Sequence, residues 1–217
     1  MNTILEYYKT GTEFTMTNYY TDLGEKLLIH EEHIETLSKD RLRCETIIND
    51  STKSDDEKRI AKYALIGMTS SASNDMYEGQ LSKIFGIKNI ETKHGWDGND
   101  EINNEPYEYK PTKIDRNYLT TNININDESE NKINNISPHK EGYNNSEANF
   151  VIAPIHKDTS EFICIYKFKE HILYRSRMEK LKEYTSRKVY QTNIKKCIEL
   201  SKKYNEKYYY WHNPKYF

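Results

Sequence analysis

Two carboxylates and a lysine that could act together on a phosphodiester lie close together in the chain. Asp97 sits in Gly95-Trp96-Asp97-Gly98, and ten residues separate it from Glu108-Tyr109-Lys110. Hydrolysing a phosphodiester requires charge neutralisation and an activated water. A divalent cation supplies both, and carboxylate oxygens hold it. A nearby ammonium group orients the water and stabilises developing charge. Residues i and i+2 of a strand face the same side. Glu108 and Lys110 are therefore expected side by side, with Tyr109 on the opposite face. Gly95 and Gly98 leave room for a bend and for close approach of a ligand, so a β-hairpin would fold Asp97 back against the pair.

The surrounding pattern suits that hairpin. Ile87–Lys93 reads as a strand leading into the bend, Asp97–Glu105 as a turn, and Pro106–Lys110 as the returning strand. Pro111 marks a strand end or an edge. Leu119–Ile125 alternates with period two and forms a third strand. Phe150–Ile155 and Phe162–Phe168 are the most apolar runs, and the turn His156–Ser160 makes them a second hairpin. Upstream, Leu23, Leu27, Ile34, Leu37 and Leu42 recur at roughly helical spacing and predict a helix over Thr17–Ile48. Ser54-Asp55-Asp56-Glu57 is a capping box. It opens a helix with Ile60, Ala64, Leu65 and Met68 on one side. A further helix, Asp75–Phe85, carries Tyr77, Leu81, Ile84 and Phe85 as its apolar stripe, with Glu78 beside it and Gly86 as its C′ stop. Residues 126–149 are polar, Asn-rich and aperiodic, as expected of a surface insertion. Beyond residue 169 the chain reads as basic and helical, with Ile194, Cys197, Ile198 and Leu200 on one face. The run Tyr208–His212 is aromatic and shows no clear period.

The chain is thus expected to form one domain over 1–217. It would have a helical part at 17–85, a sheet core at 86–168 and a basic helical part at 169–217. That order predicts an α/β (α+β) layered architecture around one sheet.

Asp97, the ten-residue interval and Glu108-Tyr109-Lys110 resemble the core of the PD-(D/E)xK, or restriction-endonuclease-like, nuclease superfamily. A helix that contributes an upstream Glu precedes the hairpin in that family, and Glu78 occupies the matching position. The resemblance covers roughly Asn74 to Ile125. It implies a central mixed sheet flanked by helices, Mg²⁺-dependent cleavage of double-stranded DNA (Mn²⁺ substituting) and a homodimer. By carry-over, Asp97 and Glu108 are metal ligands, Lys110 acts on the nucleophilic water, and Glu78 is an auxiliary ligand or helper. Two departures stand out: Trp96 replaces the usual Pro before the acid, and Asp100 or Glu101 could serve in place of Asp97.

Glu-x-Lys is not unique in this chain. Glu130-Asn131-Lys132 lies in the polar insertion. Glu91-Thr92-Lys93, with Asp75 upstream, is a rival on a plausible strand. Glu108 is preferred because a helical Glu, a Gly-flanked Asp at a bend and a returning Glu-x-Lys converge on it. His94 could contact a phosphate or simply lie at the surface. His30 and His33 lack the i, i+4 spacing of a zinc helix.

Charge is unevenly distributed. From His156 to the end there are 15 Lys/Arg against 7 Asp/Glu, whereas the rest of the chain is acidic. Arg175, Arg177, Lys180, Arg187, Lys188, Lys195 and Lys196 are the candidate DNA-phosphate contacts. Cys44, Cys164 and Cys197 are isolated, as expected of reduced packing residues in a cytoplasmic protein. No apolar run is long enough to span a membrane. No Gly-rich phosphate loop or nucleophile elbow is present, so no small-molecule cofactor is expected. The expectation is a Mg²⁺-dependent DNA endonuclease of type II restriction character, leaving a 5′-phosphate by in-line attack of water. The alternatives are a non-specific phage or viral DNA-degrading nuclease, and a non-catalytic DNA-binding or virion-associated protein.

Overall fold

A computed structural model describes residues 4–6, 15–17, 23–70, 74–90, 96–114, 123–126, 148–169, 172 and 189–217. Its centre is a seven-stranded mixed sheet. The sheet is built on β8 (Asn149–His156) and β9 (Cys164–Lys169), the two most apolar runs of the sequence, which pair antiparallel as expected. On one side β8 pairs in parallel with β6 (Glu105–Ile114), register Tyr107↔Asn149 to Ile114↔His156. Then follow β5 (Gly98–Asp100) and β4 (Lys88–Asn89), both antiparallel. On the other side β9 pairs with β11 (Tyr208–His212), and β11 pairs in parallel with β3 (Gly24–Lys26). Two smaller antiparallel pairs stand apart. They are β1 (Ile4–Glu6) with β2 (Thr15–Thr17), and β7 (Ile123–Asn126) with β10 (Val189–Thr192).

Four α-helices occur among the described residues: α1 (Thr36–Asn49), α2 (Asp55–Thr69), α3 (Asn74–Phe85) and α4 (Ile194–Tyr204). They define the two faces of the sheet. Leu37, Met68, Tyr77, Leu81 and Ile84 from the first three pack on Tyr107, Tyr109, Val151, Ala153, Ile155 and Ile165. Ile194, Cys197, Ile198 and Leu200 from α4 pack on Phe150, Ile152, Tyr166, Phe168, Tyr208 and Tyr210. Strand alternation sorts odd and even residues of β6 and β8 onto opposite faces, and that is how one sheet serves two cores.

Several local signals act as read. Ser54 Oγ accepts from the Glu57 N–H, and Glu57 returns a bond to the Ser54 N–H, so α2 is opened by a capping box. Gly86 has φ +66° and closes α3 in a Schellman arrangement. Its N–H donates to the Lys83 carbonyl, and the Ile87 N–H donates to the Ser82 carbonyl, at 3.1 and 2.9 Å.

Other expectations are overturned. The helix predicted over Thr17–Ile48 is broken up: Thr17 closes β2, Gly24–Lys26 is a strand, Glu31–His33 is one 3₁₀ turn, and α1 starts only at Thr36. The cause is tertiary. A Cβ at Gly24 would sit 2.7 Å from the Tyr208 hydroxyl oxygen, so glycine lets β3 lie on β11, and the Leu27 N–H then bonds the Tyr210 carbonyl. Leu42 and Ile60, read as core, are exposed; Ala61 and Met68 form the buried side of α2. The segment after residue 169 is not wholly helical, because β10 and β11 belong to it. The third strand, β7, does not join the main sheet. Pro111 does not end β6 either. The strand continues to Ile114, while β5 covers it only as far as Tyr107. The Tyr109 N–H points to the β5 side, so by alternation the missing N–H of Pro111 faces the side where β5 has stopped.

Gly86→Ala forces a Cβ into the left-handed region and within 2.8 Å of the His30 ring. Its expected effect is a loss of about 1–2 kcal/mol in unfolding free energy. Urea titration should show the midpoint falling with an unchanged m-value.

Candidate active site

Where β5 stops covering β6, a side chain takes over its ladder. The Asp97 N–H donates to the Tyr107 carbonyl at 2.9 Å, and the Asp97 carboxylate then accepts the Tyr109 N–H at 2.6 Å. Gly98 is register-paired with Tyr107, and the Asp97 carboxylate lies close enough to Glu108 and Lys110 for their charges to act on it. Asp100 is engaged differently. It accepts from the N–H groups of Ile102 and Asn103 and from the Asn103 amide, so it closes the hairpin turn. Glu101 is ion-paired with Lys88 at 2.9 Å. Of the three acids left open by the sequence, Asp97 is the one whose charge interacts with Glu108 and Lys110.

Glu108 and Lys110 share a face, as their spacing requires. Lys110 Nζ is ion-paired to Glu108 Oε1 and also donates to the Tyr109 carbonyl at 3.1 Å. Their side chains are only 15% and 29% exposed, so this pair is largely sheltered from water. Their register partners are Phe150 and Ile152, which belong to the core beneath α4. Glu108 and Lys110 therefore project on the α4 side of the sheet.

Glu78 joins this group from α3. Burial pushes its carboxyl up to about 7, and the charge of Asp97 adds to the effect while Lys110 opposes it. Burial and the charge of Glu108 push Asp97 up to about 6, against Lys110 and the Tyr109 N–H. For Lys110 burial works the other way, but Glu108, Asp97 and Glu78 outweigh it and raise its pKa. The four residues singled out in the sequence are thus one electrostatic unit. Asp75, three residues before Glu78 on α3, adds a further negative charge felt by both Glu78 and Asp97. The i, i+3 spacing was a usable signal for it.

Among the described residues, no group of three or more His, Cys, Asp or Glu side chains is arranged to hold a metal ion. The donors that could hold a cation are Asp97 and Glu108, whose charges act on each other. Mg²⁺ suits two carboxylates, because it keeps several waters and completes its shell with substrate phosphates. A cation there would also relieve the Asp97 carboxyl, which burial and the charge of Glu108 push up.

The basic residues divide. Lys195 and Lys196 lie on α4, with the Lys196 N–H capped by Asn193 and its ammonium 3.7 Å from Glu199. Arg175, Arg177, Lys180, Arg187 and Lys188 lie outside the described residues, as do Glu91, Lys93 and His94. His30 and His33 are partly exposed on the turn before α1, with His30 packed over Gly86. Cys44, Cys164 and Cys197 form no disulfide. No described helix is long and apolar enough to cross a membrane. No protein-family model and no curated protein matches the sequence.

The raised carboxyls make stability depend on pH in a defined direction. Ordinary carboxyls titrate near 4, so the folded protein holds more protons than the unfolded chain between about pH 4 and 7. The contribution is complete below the unfolded value and is lost as pH rises through 7. Glu78→Gln removes one of these ionisations. It is expected to stabilise the protein by about 1–3 kcal/mol at pH 8 and to change little at pH 4, as read from urea midpoints at the two pH values.

Proposed function

We propose that the protein is a Mg²⁺-dependent DNA endonuclease of the PD-(D/E)xK type. The observation that carries this reading is that Glu78, Asp97, Glu108 and Lys110 lie close enough for each carboxylate and the ammonium to act on one another's charge. They come from a helix, a strand start and a returning strand, in the chain order of that superfamily's core. The mixed sheet with helices on both faces supports the same reading.

Each side chain has a role that its surroundings fit. Asp97 and Glu108 bind the cation, and bound Mg²⁺ supplies charge neutralisation at the scissile phosphate and an activated water. Lys110 is held charged by three carboxylates. It directs its ammonium at the attacking water and at the charge that builds on the phosphate. Glu78 is an auxiliary ligand to the cation or a helper to the water, and its carboxyl, pushed up to about 7 by burial, suits proton exchange at neutral pH. Lys195 and Lys196 on α4, the helix on the side to which Glu108 and Lys110 project, neutralise DNA phosphates. The substrate is double-stranded DNA, cut to leave a 5′-phosphate, and the reading favoured is a type II restriction-like enzyme.

Lys110→Ala and Glu108→Ala should each lower Mg²⁺-dependent cleavage of a supercoiled plasmid by at least about a hundredfold, with circular dichroism and DNA binding retained. Full-rate cutting by both variants would falsify the assignment. Discrete bands in the wild-type digest indicate a specific site, and a smear indicates none. Replacing Lys195 and Lys196 together by Ala should reduce the slope of log affinity against log salt by up to about 2, measured by fluorescence anisotropy. An unchanged slope removes α4 from the DNA interface.

A further inference from the structure

We propose that Tyr109, the middle residue of Glu108-Tyr109-Lys110, is a positioning residue whose hydroxyl, clasped by Ser82 of α3, sets where Glu78 stands relative to Asp97 and Glu108. The inference rests on the nuclease reading of the site and deepens it.

Tyr109 points away from Glu108 and Lys110, into the core beneath α1–α3, and is 0% exposed. Its ring stacks on Phe85 of α3, with centroids 6.2 Å apart and planes 14° apart. Its hydroxyl oxygen is 3.3 Å from Ser82 Oγ, which is itself buried and 3.4 Å from the Asn89 side-chain oxygen of β4. Ser82 Oγ is the donor in both contacts, so its one proton is shared between the Tyr109 hydroxyl oxygen and the Asn89 side-chain oxygen. The other side of the Tyr109 hydroxyl rests on β5, where a Cβ at Gly98 would come within 2.9 Å of it. The backbone N–H of the same residue holds the Asp97 carboxylate. One residue therefore touches the helix that carries Glu78, the strand next to Asp97 and the Asp97 carboxylate itself.

Ser82 is four residues after Glu78, so the two lie on the same side of α3, one turn apart. Apolar contacts between α3 and β6 are non-directional and permit sliding. The Tyr109–Ser82–Asn89 chain is the directional contact that fixes the register of the helix against the sheet. If packing alone were required, Phe and Ala would serve at these positions. A site built from groups on separate elements loses function when one group is displaced by a fraction of an ångström.

The test uses Tb³⁺ as the probe, with luminescence sensitised by Trp96 next to Asp97, alongside plasmid cleavage with Mg²⁺. Tyr109→Phe and Ser82→Ala are expected to weaken Tb³⁺ binding three- to tenfold, and the double variant no more than the weaker single. Both should lower kcat about tenfold with KM within twofold of wild type. In a Glu78→Gln background, Tyr109→Phe should add no further loss, because its effect passes through Glu78. Unchanged Tb³⁺ binding in both single variants overturns the proposal, as does a loss that persists in the Glu78→Gln background. If wild type binds no Tb³⁺, or binds it equally well with Asp97→Asn and Glu108→Gln, the nuclease reading of the site itself fails and the positioning role fails with it.

Discussion

The bond from the Tyr109 N–H to the Asp97 carboxylate is the contact on which the rest of the candidate site depends. It stands where the β5–β6 ladder ends, and it replaces a backbone acceptor by a charged side chain. A buried N–H left without an acceptor is costly, so Asp97 is needed to terminate the ladder. The same carboxylate carries the charge on which Glu108 and Lys110 act. Structure and chemistry thus make one demand on one residue, and β6 runs on to Ile114 against β8, past the last residue that β5 pairs.

The site is electrostatically uncomfortable as it stands. Glu78, Asp97 and Glu108 crowd together, with Asp75 adding charge and Lys110 as the cation that relieves them. Burial raises the cost of ionising Glu78 and Asp97, and the neighbouring negative charges raise it further. Such clustering of perturbed groups is typical of functional sites. The apolar frame holds it in place. One core beneath α1–α3 fixes Tyr109 and hence the strand that bears Glu108 and Lys110. The other, beneath α4, shelters the face onto which they project.

The aromatic C-terminal strand shows how differently the two ends of the sheet are built. Tyr166, Phe168, Tyr208, Tyr210 and His212 stack across β9 and β11, with the Tyr166 hydroxyl 2.7 Å from His212 Nε2. Burial pushes His212 down to about 4. Neighbouring aromatic pairs contribute about 0.5–1.5 kcal/mol each beyond their area, so this strand is anchored by its side chains as well as by its ladder. Among the described strands only β11 pairs with β3, and with no apolar alternation along Tyr208–His212 the sequence offered no period from which to recognise it.

The sequence by itself determined the elements whose signals are local. Glu108 and Lys110 share a face because strands alternate. Ser54 and Glu57 open α2, Gly86 closes α3, and the apolar runs at 150 and 162 form the central hairpin. It also singled out four residues whose charges act on one another, because a helical acid, a Gly-flanked acid at a bend and a returning Glu-x-Lys are each readable one at a time. Only the tertiary structure decided the rest. Gly24 is strand rather than helix because the Tyr208 ring lies against it. Leu42 and Ile60 are exposed because α1 and α2 turn other sides to the sheet. Asp97 rather than Asp100 feels the charge of Glu108 because its backbone and carboxylate bond Tyr107 and Tyr109, while Asp100 is taken up by the hairpin turn. Tyr109 looked like a spacer in Glu-x-Lys, yet its hydroxyl and its N–H reach two other elements. In each case the deciding contact joins residues far apart in the chain or across a register, and spacing along a single strand or helix carries no record of it.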